Sequence, residues 1–206
     1  MQYDHDPFRV LIVGQSGSGK TTFAINMLHG LKASCIFIPD TETEFQHKLR
    51  KPAGRTAAEL IALIKTGWCL FDHSQMFPGE PRKGVAWFSK FAFYASHKIP
   101  GRKVYFNDEL QKDAGHGELG EGFKLILDTG RRYGLDFGGI SQAPNRINMV
   151  VRDQLTEVVA FKTVGKRALE YLEEMDMPSD DIKRLPRGSY IARNLLTSGE
   201  SRGRVF

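Results

Sequence analysis

The chain of 206 residues contains only two cysteines, Cys35 and Cys69, too few for a disulfide scaffold. Each sits in an apolar, strand-like run, where the usual occupant is a buried free thiol. Its histidines, His5, His29, His47, His73, His97 and His116, show no spacing with cysteines or carboxylates that would make a zinc site. No apolar stretch approaches the length of a membrane span. Residues 1–7 are acidic and polar, which argues against a signal peptide or anchor and for a cytoplasmic protein. Repeats and low-complexity tracts are missing as well. The net charge of +5 is compatible with a polyanionic partner but too small to establish one. Length and composition fit one compact domain over residues 1–206, with no linker.

Against that plain background stands Gly14-Gln15-Ser16-Gly17-Ser18-Gly19-Lys20-Thr21, which follows the apolar run 8–13 directly. It is a full G-x-x-x-x-G-K-[ST] pattern with a strand before it and a helix after it. Glycines let successive backbone N–H groups turn inward around phosphate oxygens, and the positive end of the next helix adds to that field. Gly14 to Thr22 are therefore the expected nucleotide-binding segment, for ATP with Mg²⁺. Lys20 would reach the β and γ phosphates, and the Thr21 hydroxyl would bind the metal.

Short β-branched and aromatic runs alternate with helical patterns. Strands are expected at 8–13, 33–39, 68–71, 103–106, 137–141 and 158–163. Helices are expected at 20–31, at 57–65 behind a Thr56/Glu59 capping box, and at 84–97. This alternation implies a mostly parallel sheet covered on both faces. In the 84–97 helix, Trp87, Phe88, Phe91, Phe93 and Tyr94 are interleaved with lysines; aromatics at helical spacing read as packing in preference to base stacking. Residues 112–122, with four glycines, read as a mobile loop, and 188–193 with 202–206 as a hairpin closing one sheet edge.

A nucleotide-hydrolysing site also needs an acidic residue at the end of a neighbouring buried strand to organise Mg²⁺, and a second carboxylate to position the attacking water. Asp108 and Glu109, directly after 103–106, supply both. Gln142 ends another strand and is a candidate γ-phosphate sensor; capping the turn into Pro144 is its structural alternative. Arg131 and Arg132 close a helix, where arginine is also electrostatically at ease. One of them is a candidate to stabilise charge on the γ phosphate of a neighbouring subunit.

Taken together, the P-loop, the Asp108-Glu109 pair and 130–146, with the strand after it, resemble the HerA/FtsK superfamily of DNA-pumping ATPases over most of the chain. Its small size resembles the genome-packaging branch found in membrane-containing icosahedral double-stranded DNA viruses. The resemblance implies an α/β, RecA-like (ASCE) P-loop NTPase in three αβα layers, hydrolysing ATP with Mg²⁺. It implies a homo-oligomeric ring, expected as a hexamer, that drives double-stranded DNA into a preformed capsid and meets capsid vertex proteins. It carries Lys20 and Thr21 as phosphate and metal ligands, Asp108 and Glu109 as the metal-organising and catalytic carboxylates, Gln142 as sensor, and Arg131 or Arg132 as the trans-acting finger. Lys112, His116 and Lys124 fall in or beside the glycine-rich segment, the candidate DNA-contacting loop. Two other readings stay open: a conjugation- or segregation-type DNA pump, and a nucleoside or nucleotide kinase, although a kinase has no use for Glu109. A membrane-linked assembly factor or an ATP-stabilised scaffold accounts for fewer of these residues.

Overall fold

The computed structural model describes residues 8–206. The polar segment 1–7, on which the absence of a signal peptide was argued, lies outside the described residues. The strands are β1 (Arg9–Val13), β2 (Cys35–Pro39), β3 (Ala53–Gly54), β4 (Trp68–Phe71), β5 (Lys103–Asn107), β6 (Leu135–Ser141), β7 (Glu157–Phe161), β8 (Ser189–Asn194) and β9 (Glu200–Arg204). They form one sheet in the order β3-β4-β2-β5-β6-β1-β7-β8-β9. β1 to β7 run parallel, while β8 and β9 add an antiparallel hairpin at one edge, registered Ser189 to Arg204. The helices are α1 (Lys20–Gly30), α2 (Glu44–Leu49), α3 (Ala57–Ile64), α4 (Pro81–Ser96), α5 (Leu110–Asp113), α6 (Glu121–Thr129), α7 (Met149–Arg152), α8 (Lys166–Glu173) and α9 (Ser179–Arg184). Among the described residues no helix is long and apolar enough to cross a membrane.

The three layers follow from the alternation of side chains along each strand. Val10 and Ile12 pack with Ala24 and Leu28 of α1 and Phe45 of α2. Leu11 and Val13 point the other way, into the layer holding Val85 and Phe88 of α4, Phe123 of α6 and Leu172 of α8. A sheet covered on both faces needs continuous apolar strands, and β2 and β4 are buried along their whole length. Cys35 and Cys69 sit in those two strands as buried free thiols, and burial pushes the Cys35 thiol up to about 12.

In α4 the aromatics divide: Phe88 and Phe93 pack in the core, Trp87 and Phe91 are half-buried, and Tyr94 is exposed. Phe88 is fully buried and stacks on Phe71 at 5.0 Å between centroids, Phe93 is buried, and Trp87 and Phe91 stack on each other at 5.6 Å. The Thr56/Glu59 capping box is formed in both directions, at 3.3 and 3.2 Å.

The segment 112–122 spans the loop between α5 and α6, and parts of it are packed. Ala114 and Leu119 are buried, Gly115 bridges to Ile147, and the segment ends in the first turn of α6. Its glycines signalled close packing as well as turns. A Cβ on Gly122 would come within 2.6 Å of the Ser89 Cβ and 2.7 Å of the Lys90 backbone nitrogen, so the bare backbone lets α6 lie against α4. Gly122→Ala is expected to cost about 1–3 kcal/mol by overpacking despite alanine's better helix propensity. A thermal melt checks this; an unchanged or raised Tm would show that the helices can part at no cost.

Candidate nucleotide-binding site

In a parallel sheet all the strands end at one edge, and the order of strands decides which loops meet there. β1 ends at Val13, and the loop 14–19 leads into α1 at Lys20. The loop is pinned to its neighbours: the Gly14 amide donates to the Ser141 carbonyl at 3.3 Å, and the Gln15 amide to the Lys162 carbonyl at 3.0 Å. Lys20 is buried, and its ammonium donates to the Gln15 carbonyl at 2.8 Å, so its charge is held against the loop. Burial lowers its pKa, and Asp108 and Glu44 oppose that shift.

Because β5 and β6 lie next to β1 on one side, their ends carry Asp108, Glu109 and Gln142 to the loop. A cavity of about 110 Å³ is lined by Lys20, Thr21, Glu44, Asp108, Glu109 and Gln142. The sequence candidates on the P-loop, the acidic pair and Gln142 are thus brought together in one place.

The electrostatics of this cavity are strained by negative charge. The Asp108 carboxyl is pushed up to about 7, first by burial and then by the carboxylates of Glu44, Asp40 and Glu109. A divalent cation would relieve that field. Mg²⁺ in nucleotide sites takes one or two protein ligands and fills its shell with waters and phosphates. Thr21 and Asp108, both lining the cavity, fit that pattern, and among the described residues no group of three or more His, Cys, Asp or Glu forms an all-protein cage.

Three contributors escaped the sequence reading. Glu44 is hydrogen-bonded to Thr21 and paired with Lys48 at 2.6 Å. Asp40, at the end of β2, accepts from the amides of Phe45 and Gln46 at 3.0 and 2.7 Å and so starts α2 with Glu44 facing the site. The signal was available in the acidic run 40–44 directly after a buried strand. Asn107, fully buried, orients the acidic pair: its Oδ1 accepts from the Glu109 amide at 3.0 Å, and its Nδ2 donates to Asp113 at 2.9 Å. Lys112 lies against the Glu109 carboxylate and reaches Glu42 at 3.2 Å.

No protein-family model matches the chain, and the comparison with curated proteins finds no match. Solved structures do match. The genome-packaging NTPase B204 of Sulfolobus turreted icosahedral virus 2, in complex with ATP-gammaS, superposes with a TM-score of 0.75 at 18% identity, over 98% of both chains. The chain shares the fold of a viral genome-packaging NTPase. VirB4 of Thermoanaerobacter pseudethanolicus matches with a TM-score of 0.70 at 13% identity, over 96% of this chain and 89% of that one. The plasmid coupling protein TrwB, with a non-hydrolysable GTP analogue, matches with a TM-score of 0.54 at 14% identity, over 78% of this chain and 45% of that one.

Within this packaging-NTPase fold, Arg131 and Arg132 stand apart from the other candidates. They are exposed in the turn Gly130–Tyr133 that precedes β6, and Arg131 lies near Arg9 at the start of β1. The P-loop follows β1, so the two arginines occupy the opposite edge of the sheet and cannot serve their own chain's site. Arg146, also exposed, lies on the P-loop edge after β6.

Proposed function

We propose that the chain is a HerA/FtsK-superfamily ATPase that moves double-stranded DNA, and that it packages a viral genome into a preformed capsid. The observation that carries this reading is the single cavity joining a complete P-loop to Asp108, Glu109 and Gln142, in a fold matched end to end by a packaging NTPase. Glu109 accepts a proton from water as the water oxygen bonds to the γ phosphorus, and the bond to the bridging oxygen breaks to leave ADP and phosphate. Lys20 and the loop amides hold the phosphates, and Gln142 contacts the γ phosphate. Mg²⁺, held by Thr21 and through its water shell by Asp108, would neutralise charge on the β and γ phosphates.

The working form is a homo-oligomeric ring, expected as a hexamer. An arginine from the next subunit completes each site, with Arg131 and Arg132 as the candidates. DNA is held through phosphates by Lys and Arg without strong sequence preference. The place of action is the host cytoplasm or the packaging vertex, with capsid vertex proteins as partners. A conjugation-type DNA pump is the second reading, favoured by the likeness to VirB4 over nearly the whole of both chains.

The test is the ATP hydrolysis rate of the purified chain with and without double-stranded DNA. Stimulation by DNA supports a translocase; phosphate transfer to a nucleoside, or no hydrolysis at any oligomeric state, overturns it. Lys112 adds a sharper expectation. Its ammonium occupies the carboxylate that must engage water, and an ion pair open to solvent on its lysine side holds with about 1 kcal/mol, so Lys112→Ala is expected to raise DNA-independent hydrolysis by up to about fivefold. A fall in basal rate would show instead that Lys112 helps to place Glu109.

A further inference from the structure

α3 and α4 cover the face of the sheet opposite α1, and they carry more apolar surface than that face takes up. α4 has two apolar stripes. Val85, Phe88 and Ala92 are buried, while Trp87, Phe91 and Tyr94 follow one another at i, i+4 and i+7 on a second stripe that is half-buried to exposed. α3 repeats the arrangement on a smaller scale, with Leu60 buried and Ile61 58% exposed. Between the two outer stripes lies a groove of about 670 Å³, lined by Ile61 and Ile64 from α3 and by Trp87, Phe91 and Tyr94 from α4. We propose that this groove docks an amphipathic helix of another protein, one whose apolar face is flanked by Asp and Glu. The proposal stands apart from the ATPase reading. The groove follows the C-terminal halves of helices that run back to the starts of β4 and β5, toward the sheet edge opposite the P-loop.

Charge selects the occupant. The charged residues lining the groove are Lys65, Lys90 and Lys98, and no carboxylate joins them. Lys90 is paired with Glu121, whereas Lys65 and Lys98 make no ion pair among the described residues. An apolar floor inside a cationic rim is complementary to apolar anchors that have carboxylates beside them. A groove between two helices takes such anchors from a third helix, at i, i+3 or i+4, and i+7.

A second copy of this chain is a poor match. Most of its other exposed apolar residues sit beside cations: Tyr133 after Arg131 and Arg132, Met149 and Val150 between Arg146 and Arg152, Val164 between Lys162 and Lys166, and Phe206 after Arg204. Docking any of them would set cation against cation, a mismatch that selects against the wrong partner.

The experiment is selection from a displayed library of helix-forming peptides on the full chain, with counter-selection on the double variant Ile61→Asp/Tyr94→Asp. Both side chains are exposed, so the variant is expected to keep the native Tm. The expected consensus has apolar residues at i, i+3 or i+4, and i+7, flanked by Asp and Glu. Labelled consensus peptide is expected to bind the double variant at least about tenfold more weakly than the native chain, because the anchors lose their floor. Lys65→Glu/Lys98→Glu leaves the floor intact and is expected to weaken binding about threefold at low salt, with the gap closing at high salt. A basic consensus, one without helical spacing, or no enrichment over the counter-selected variant would overturn the proposal. So would unchanged affinity in Lys65→Glu/Lys98→Glu, which would leave the acidic flank without a role. Light scattering on the native chain and Ile61→Asp/Tyr94→Asp completes the test: a native oligomer that falls apart in the variant would mean that a second copy covers the groove.

Discussion

Replacing Glu109 by Gln is expected to lower the ATP hydrolysis rate about a thousandfold, within the range for loss of a positioned general base, while ATP affinity changes by less than about twofold. The substitution keeps the size and the Asn107-held backbone of the residue, and removes the basic oxygen. On the proposed reading the phosphates are held by the loop amides and Lys20, and Glu109 takes no part in cradling them. Binding and turnover should therefore separate. Single-turnover hydrolysis with saturating ATP, next to an equilibrium binding curve, reads both. If Glu109→Gln retained a tenth or more of the native rate, the water would be activated elsewhere. Glu42, Glu44 and Asp108, the other carboxylates lining that cavity, would then be the residues to change next.

How far the site could be read from sequence depended on whether its parts are consecutive. The P-loop and the Asp108-Glu109 pair are runs of adjacent residues whose chemistry dictates their spacing, and both are where the strand pattern puts them. β1, β2, β4, β5, β6 and β7 were legible because a sheet covered on both faces demands continuous apolar runs. β3 was not, since two residues carry no period. Glu44 and Asp40 belong to the site only because α2 starts at the end of β2, and the pairing of β2 with β5 sets that loop beside Asp108. Arg187 meets Gly17 across 170 positions, through a hairpin whose register no local pattern states. The packing role of Gly122, at the end of the glycine-rich segment, was hidden for a related reason. Glycine marks both turns and close helix contacts, and the partner that distinguishes them, α4 in the case of Gly122, is found only in the fold.

Asp108→Asn is expected to have two opposite effects. In the chelated, ligand-free protein the Asp108 carboxyl titrates near pH 7 and not near its ordinary 3.8, so the native state holds this proton more tightly than the unfolded chain does. Stability then falls as pH rises from about 4 to 7, and the whole penalty is present above 7. A shift of about three units would amount to about 4 kcal/mol in full, but the side chain is half-buried and water discounts it to about 1–2 kcal/mol. The asparagine carries no charge to penalise. The variant should therefore melt higher than the native chain at pH 8, and the gap should close toward pH 4. Addition of Mg²⁺ with ATP should reverse the order. A ligand at a hundred times its Kd stabilises the native state by about 2.7 kcal/mol, and a chain that has lost the carboxylate organising the metal should gain much less. Melting curves at pH 4, 6 and 8, with chelator and with Mg²⁺ and ATP, check both halves. A variant less stable than the native chain at pH 8 without ligand would mean that Asp108 is not held under charge strain. Equal stabilisation of both chains by Mg²⁺ and ATP would remove Asp108 from the metal site and leave Thr21 and Glu44 to account for it.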